Sequence, residues 1–256
     1  LFHNHMGSHK NAWAAILVDL LRVDGAYDGE GLGLYYFDLD IHEILNELAD
    51  EEIEEEFAKY NCKMNKNELN ILMQVVLGVF KITPAINYVK STLTPEEKRD
   101  VLGYRAFDNY VMFNCPKTTQ GIRSFLPVKS DENRVVRYVK TVFGCTSEEA
   151  KTVLELVFSL LVQNSIDVSS EKILFKHQKK DAYQITASRY VIKNYKTSKF
   201  FQCSKCGRLT PYNLRGKCTR DKCTGILSEV NPDEALATNF YRNQYKEKKI
   251  ESIVIQ

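Results

Sequence analysis

Hydrophobic residues recur at helical spacing over much of the chain. Trp13, Ile16, Leu17 and Leu20 fall on one side of residues 11–21, which predicts a first helix. Ile41, Ile44, Leu45 and Leu48 follow at i, i+3, i+4 and i+7, and the acidic run from Glu47 to Glu56 continues the same pattern. One helix is expected there, with its carboxylates in water. Residues 67–80 predict another helix, followed by a stretch broken at Pro84. Thr94-Pro95-Glu96-Glu97 has the cap, first-turn proline and N3 glutamate of a capping box. Residues 133–143 turn Val135, Val139 and Val142 or Phe143 inward and Arg134, Arg137 and Thr141 outward. Thr146 or Ser147 then caps a largely apolar helix over 148–163.

Strands are predicted at Leu34-Tyr-Tyr-Phe-Asp, at Ile173-Leu-Phe and at the alternating Tyr183-Gln-Ile-Thr-Ala-Ser. Two helices followed by a small antiparallel pair outline a winged helix. The expected fold is α+β and mainly helical. It divides into a helical region over 1–120, acidic then mixed, a winged-helix-like domain over 121–198, a zinc module over 199–230, and a helical linker with a final strand over 231–256. The second helix of the pair has Lys151 as its only basic residue, so packing or backbone contact suits it better than reading bases in a major groove. The glycines between Asp24 and Gly33 match neither GxGxxG nor GxxxxGK[ST] and predict a turn.

Composition adds limits. With 256 residues, 44% hydrophobic, 27% charged, 12 Gly and 6 Pro, the chain can bury a core and is neither collagen-like nor largely disordered. No apolar run approaches the ~20 residues of a bilayer span. The longest, around 153–162, is interrupted by Glu155 and Ser159, and no membrane partner is expected. Leu1 is no initiator, and the alternating Ile250–Gln256 stops without a turn or cap, so a piece of a longer chain is expected. A vector origin for residues 5–9 is the alternative account of the start.

The formal charge of +2 averages two opposites. Residues 1–60 hold 14 acidic and 3 basic side chains, a net of −11, and the remainder carries +13. Between Lys172 and Lys222 there are 14 Lys or Arg against Asp181 and Asp221, interleaved with Phe175, Tyr183, Tyr190, Tyr195, Phe200, Phe201 and Tyr212. Cationic side chains neutralise phosphates and aromatic faces stack on unpaired bases, so this mixture suits nucleic acid. A solvated surface is the plainer alternative. The glutamates of 47–56 lack the spaced oxygen ligands of a cation loop and fit a solvated face.

The most specific motif is Cys203-Ser-Lys-Cys206, then eleven residues, then Cys218-Thr-Arg-Asp-Lys-Cys223. Two close cysteine pairs match tetrahedral structural zinc, with each short loop delivering two thiolates to one ion. Gly207 and Gly225 stand just past the loops, where tight backbone geometry is needed. Disulfides suit neither the absence of a secretory leader nor the isolated Cys62, Cys115 and Cys145, and a cytoplasmic location follows. A redox pair would not need the second cysteine pair. Four protein ligands leave no open position, so the zinc is structural. Lys205, Arg208, Arg215, Lys217, Arg220 and Lys222 decorate both loops and are candidate phosphate contacts. His3, His5 and His9 form a second, weaker metal pattern, while His42 and His177 are solitary. No Ser-His-Asp or Cys-His constellation is present, so no catalytic residue is nominated.

The order Gly121-Ile-Arg-Ser-Phe-Leu-Pro127, Asn133-Arg134, Arg137-Tyr138, Tyr183-Gln-Ile-Thr-Ala, Phe201-Gln-Cys-Ser-Lys-Cys-Gly-Arg, Arg215-Gly-Lys-Cys, Cys223-Thr-Gly-Ile-Leu, Tyr241 and Tyr245 resembles the middle region of large bacterial superfamily 2 helicases of the DEAD/DEAH-box type, especially those of phage-defence and DNA-repair loci. The resemblance covers residues 121–256 and does not extend to residues 1–120. It implies an insertion between two RecA-like motor lobes, with residues 250–255 leading into the second lobe and ATP-dependent translocation on DNA as the parent's activity. ATP and Mg2+ would then belong to the parent alone. Asp131-Glu132 and Asp233-Glu234 follow polar or proline-containing segments and are lookalikes of a magnesium-binding motif. In this reading Arg123, Arg134 and Arg137 meet backbone phosphates, and Phe201 or Tyr212 stacks on a base. A protein-interaction module stapled by zinc, docking through the acidic first 60 residues, is the competing reading.

Overall fold

A computed structural model describes residues 8–21, 28–87, 94, 96, 99–100, 109–115, 120–128, 130–164 and 173–247. The chain is α+β. Helix α1 (Ser8–Leu20) precedes strand β1 (Tyr35–Leu39) and helices α2 (His42–Asn46), α3 (Asp50–Ala58), α4 (Lys66–Val76) and α5 (Val79–Ile82). Strands β2 (Ile86–Asn87), β3 (Tyr110–Met112) and β4 (Ile122–Ser124) lead to α6 (Arg134–Phe143) and α7 (Ser147–Asn164). Then come β5 (Leu174–Lys176), β6 (Ala182–Thr186), β7 (Tyr190–Asn194), β8 (Phe200–Cys203), β9 (Leu209–Thr210), β10 (Leu227–Val230), α8 (Pro232–Ala235) and α9 (Phe240–Glu247).

Local chemistry explains the best-defined helix ends. Asn65 caps α4, accepting from the Glu68 N–H at 2.9 Å while the Glu68 carboxylate accepts from the Asn65 N–H at 3.3 Å. Asn133 caps α6, and Gly144 ends it at φ +72°, a conformation open to a residue without Cβ. Thr146 and Glu149 make the reciprocal bonds that begin α7.

The single helix expected from Asp40 to Glu56 is two helices, α2 and α3, separated by Ala49 in an extended conformation. Residue phase explains the break. On one continuous helix at about 100° per residue, Ile53 and Phe57 would lie roughly 120–160° around from Ile41. The break brings Ile41, Ile44, Leu45, Ile53 and Phe57 all into the core. The helix expected over 67–80 is likewise split into α4 and α5 around Leu77 and Gly78.

One buried cluster runs from Leu17 to Leu214 and draws on both sides of residue 120. Phe158 of α7 sits among the rings of Phe113, Phe125 and Tyr183, with centroids 5.2–6.0 Å away, and lies 6.5 Å from Phe80. The expected β5–β6 antiparallel pair forms, but within a five-stranded mixed sheet: β6 also pairs antiparallel with β3 and parallel with β2, and β3 pairs parallel with β4. β1 pairs antiparallel with β7, from Tyr35 opposite Asn194 to Leu39 opposite Tyr190. The divisions drawn at residues 120 and 198 therefore cross shared packing. A second small core of Tyr36, Phe200 and Leu209 joins β1 to the three-stranded antiparallel ribbon β10-β8-β9. No described helix is long and apolar enough to cross a membrane. The Thr94 capping box, His3, His5 and the strand expected over 250–255 lie wholly or partly outside the described residues, as does the side chain of His9.

Candidate metal centre and nucleic-acid interface

The ribbon brings the four cysteines together. Cys203 ends β8, Cys206 follows in the first loop, and Cys218 and Cys223 bound the second. Their sulfurs all lie within 4.8 Å of one another, with Cys203 and Cys223 at 3.6 Å and Cys206 and Cys218 at 3.7 Å. A tetrahedron of ~2.3 Å metal–sulfur bonds has edges of about 3.8 Å, so the donor set fits one tetrahedral ion such as zinc. The Lys205 N–H points at the Cys203 sulfur at 3.4 Å. Burial works against the Cys203 thiolate, but N–H groups of Cys206 and Lys205 and the neighbouring thiols outweigh it and hold the thiol down to about 7. Burial pushes the Cys218 thiol up. Four thiols in so small a space need a cation if all are to ionise.

Both glycines predicted beside the loops have structural reasons. Gly207 adopts φ +69° with open space where a Cβ would stand. Gly225 is a close approach: a Cβ there would lie 2.3 Å from the Cys203 Sγ. Hydrogen bonds from Ser204 N–H to the Ile226 carbonyl (2.9 Å) and from Ile226 N–H to the Ser204 hydroxyl (3.1 Å) lock the two loops together.

The cations expected to meet phosphates divide into two sets. The first is held by partners within the chain, Arg208 in a largely buried place and Arg215 at the surface. Arg137 makes a two-pronged 3.0 Å contact with Asp221 and holds that carboxyl below the usual range. Arg134 donates to the Thr219 carbonyl at 3.2 Å, and Arg208 pairs with Glu30 at 3.1 Å in a largely buried setting. Arg215 bonds Glu68 at 2.9 Å and the Lys63 carbonyl at 2.5 Å, and lies 4.5 Å from the centre of the Phe143 ring. These residues fasten the ribbon to α4, α6 and the turn after α1. Tyr212, expected as a stacking ring, sits edge-on to Tyr36 and donates to the Phe37 carbonyl at 3.1 Å. The second set faces outward: Arg123, Arg220 and Lys222 are exposed, Lys205 is exposed and reaches Thr224, and Lys217 is half-buried. Phe201 is half-buried against the cysteine cluster.

Asp233 of the magnesium-site lookalike is taken up structurally by Arg242 and Lys246, each at 2.6 Å. The Asp131-Glu132 pair is not free either, since Glu132 is bonded to Lys140 and Ser147. The residues that the sequence reading missed are the acidic partners Glu30, Glu68 and Asp221, and the buried hydroxyls of Tyr138 and Thr219. Tyr138 lies one helical turn beyond Arg134, and Thr219 adjoins Cys218, so their places beside the cations were within reach of the sequence. What they touch was not. No protein family, curated protein or solved structure matches the chain.

Proposed function

We propose that the chain is an accessory zinc-bearing, DNA-contacting region of an ATP-dependent superfamily 2 helicase. ATP and Mg2+ are bound by motor lobes elsewhere in the parent. The observation that carries this reading is the set of exposed cations, Lys205, Arg220 and Lys222, standing on loops that the four-cysteine cluster holds rigid. A metal-fixed loop presents charge to a phosphate backbone at little conformational cost. Zinc is structural, because four thiolates complete its coordination. The helix pair α6–α7 with β5 and β6 is the piece that answers to a winged-helix outline, with Arg123 exposed on β4.

Binding of short single- and double-stranded DNA to the zinc-loaded chain across a salt series tests the reading. Affinity that falls steeply with salt is expected; weak binding indifferent to salt overturns it. A second reading, a protein-interaction module with a purely structural zinc, is favoured by one specific observation: Arg137, Arg208 and Arg215 are engaged by acidic side chains of the same chain. The salt series separates the two.

A further inference from the structure

Cys62 and Cys145 stand 83 positions apart in the chain and meet in the fold. Cys62 follows α3 and Cys145 follows α6, and each comes straight after a residue in the left-handed region, Asn61 at φ +56° and Gly144 at φ +72°. The Cys62 S–H donates to the Cys145 sulfur. Both residues belong to the main core, where they are 0% and 8% exposed.

Side chains around the pair bridge its chain neighbours. One Glu149 oxygen accepts from the Asn61 amide at 2.5 Å, and the other accepts from the Thr146 N–H at 2.7 Å. Arg215 makes a second bridge, from the Lys63 carbonyl at 2.5 Å to the Phe143 ring. The two stretches of backbone are therefore already clamped together, and joining the sulfurs at ~2.05 Å asks mainly for movement of two short side chains. Packing alone is the competing account, since a buried cysteine serves as a small apolar side chain. It explains the burial, but neither the contact between the thiols nor the clamps around them. A metal is not the cause either: among the described residues, only the four cysteines of the ribbon gather as three or more metal-type ligands.

We propose that Cys62 and Cys145 form a reversible disulfide, which staples the α3–α4 connection to the α6–α7 connection beside Arg215. The oxidant is a small-molecule disulfide such as oxidised glutathione. Cys145 is the more exposed thiol and the hydrogen-bond acceptor, so it loses its proton and attacks first. The S–S bond of the small disulfide breaks, a mixed disulfide forms at Cys145, and one small thiol leaves with a proton. The deprotonated Cys62 sulfur then attacks the Cys145 sulfur, and the second small thiol leaves with the second proton. Two protein thiols are oxidised and the small disulfide is reduced to two thiols. Burial pushes both protein thiols up, and the shared hydrogen bond adds to the rise at Cys62, so exchange at neutral pH is slow. The staple does not depend on the nucleic-acid reading.

The test equilibrates the zinc-loaded full chain, carrying Cys115→Ala, with mixtures of reduced and oxidised glutathione. Acid quenching, alkylation and peptide mapping by mass spectrometry identify the linked cysteines, and zinc content is measured alongside. A Cys62–Cys145 peptide is expected to grow with the oxidised fraction while zinc stays bound. Closing so long a loop should raise the melting temperature by about 10 °C, and dithiothreitol should reverse the rise. Cys62→Ala and Cys145→Ala are each compared with themselves in the two buffers, which separates the loss of a buried thiol from the loss of the bond. Neither should gain stability on oxidation, and Cys62→Ala should collect one glutathione, on Cys145. If no Cys62–Cys145 peptide forms, even after incubation just below the melting temperature where the core opens, the proposal is overturned. A bond that forms but lowers the melting temperature overturns it equally, because the folded geometry then opposes the link.

Discussion

Replacing Gly225 by alanine sets a methyl carbon 2.3 Å from the Cys203 sulfur and 3.0 Å from the Lys205 backbone nitrogen. Carbon contacts relax at roughly 3.5–4.0 Å, so more than about 1 Å must be found. The sulfur is poorly placed to yield, because a bound ion would fix it at about 2.3 Å. The loop is also restrained, by the paired hydrogen bonds between Ser204 and Ile226. Changes in the groups that support metal ligands cost about 10- to 100-fold in affinity. A backbone clash directly against a ligand belongs at the upper end, about 100-fold or ~2.7 kcal/mol. Gly207→Ala is the matched control: its Cβ meets nothing within 4 Å, and only the left-handed φ of +69° is penalised, by ~1 kcal/mol. Competition for zinc against a chromogenic chelator at fixed pH measures both variants. If Gly225→Ala binds zinc as tightly as the wild type, or loses less than Gly207→Ala, the steric account of this centre is refuted.

Three further outcomes are expected. Removing the metal should unfold the ribbon and spare the main core, because the buried part of the cysteine cluster's own core is only Cys203, Cys218 and Leu227. Hydrogen exchange should then show β8, β9 and β10 losing protection while α7 keeps it. Hydrogen bonds from Lys246 and Arg242 lower the Asp233 carboxyl to about 2. Its folded value lies below its unfolded one, so its stabilising contribution is full above about pH 4 and is lost as pH falls toward 2. The melting-temperature gap between wild type and Asp233→Asn should close over that window; a gap constant with pH would contradict the assignment. Lys222→Gly should leave stability equal or raise it by up to ~1 kcal/mol, since relief of the left-handed backbone offsets glycine's greater unfolded freedom. The same variant should bind DNA more weakly, and a denaturant titration beside the binding assay reads the two effects separately.

How much of this was legible in the sequence depended on the range of the interaction. The periodicity of Val135, Val139 and Val142 and the cap at Thr146 act over a few positions, so α6 and α7 could be placed closely. The cysteine spacing carried its own geometry for the same reason. The split between α2 and α3 was encoded in the phase of Ile53 and Phe57, but the acidic run masked it by fitting a solvated face equally well. Charge counting located the cations and said nothing of their direction. Arg208, Arg215 and Arg137 are engaged by Glu30, Glu68 and Asp221, and two of those acids lie more than a hundred residues from their partners. The pairing of β1 with β7 is similarly distant, and no local pattern near Tyr35 specifies Asn194.

The fully buried Arg242 donates to the carbonyls of Leu32 and Gly33, residues some 210 positions earlier in the chain. The turn that carries Glu30 and Asp28 thus has part of its backbone satisfied only by a late-emerging helix. On a ribosome these two carbonyls wait for residue 242 before they find this donor, and such non-local closure slows folding. A chain ending before Arg242 would loosen this early turn, and with it the acidic anchor of Arg208, although none of the four cysteines had been touched.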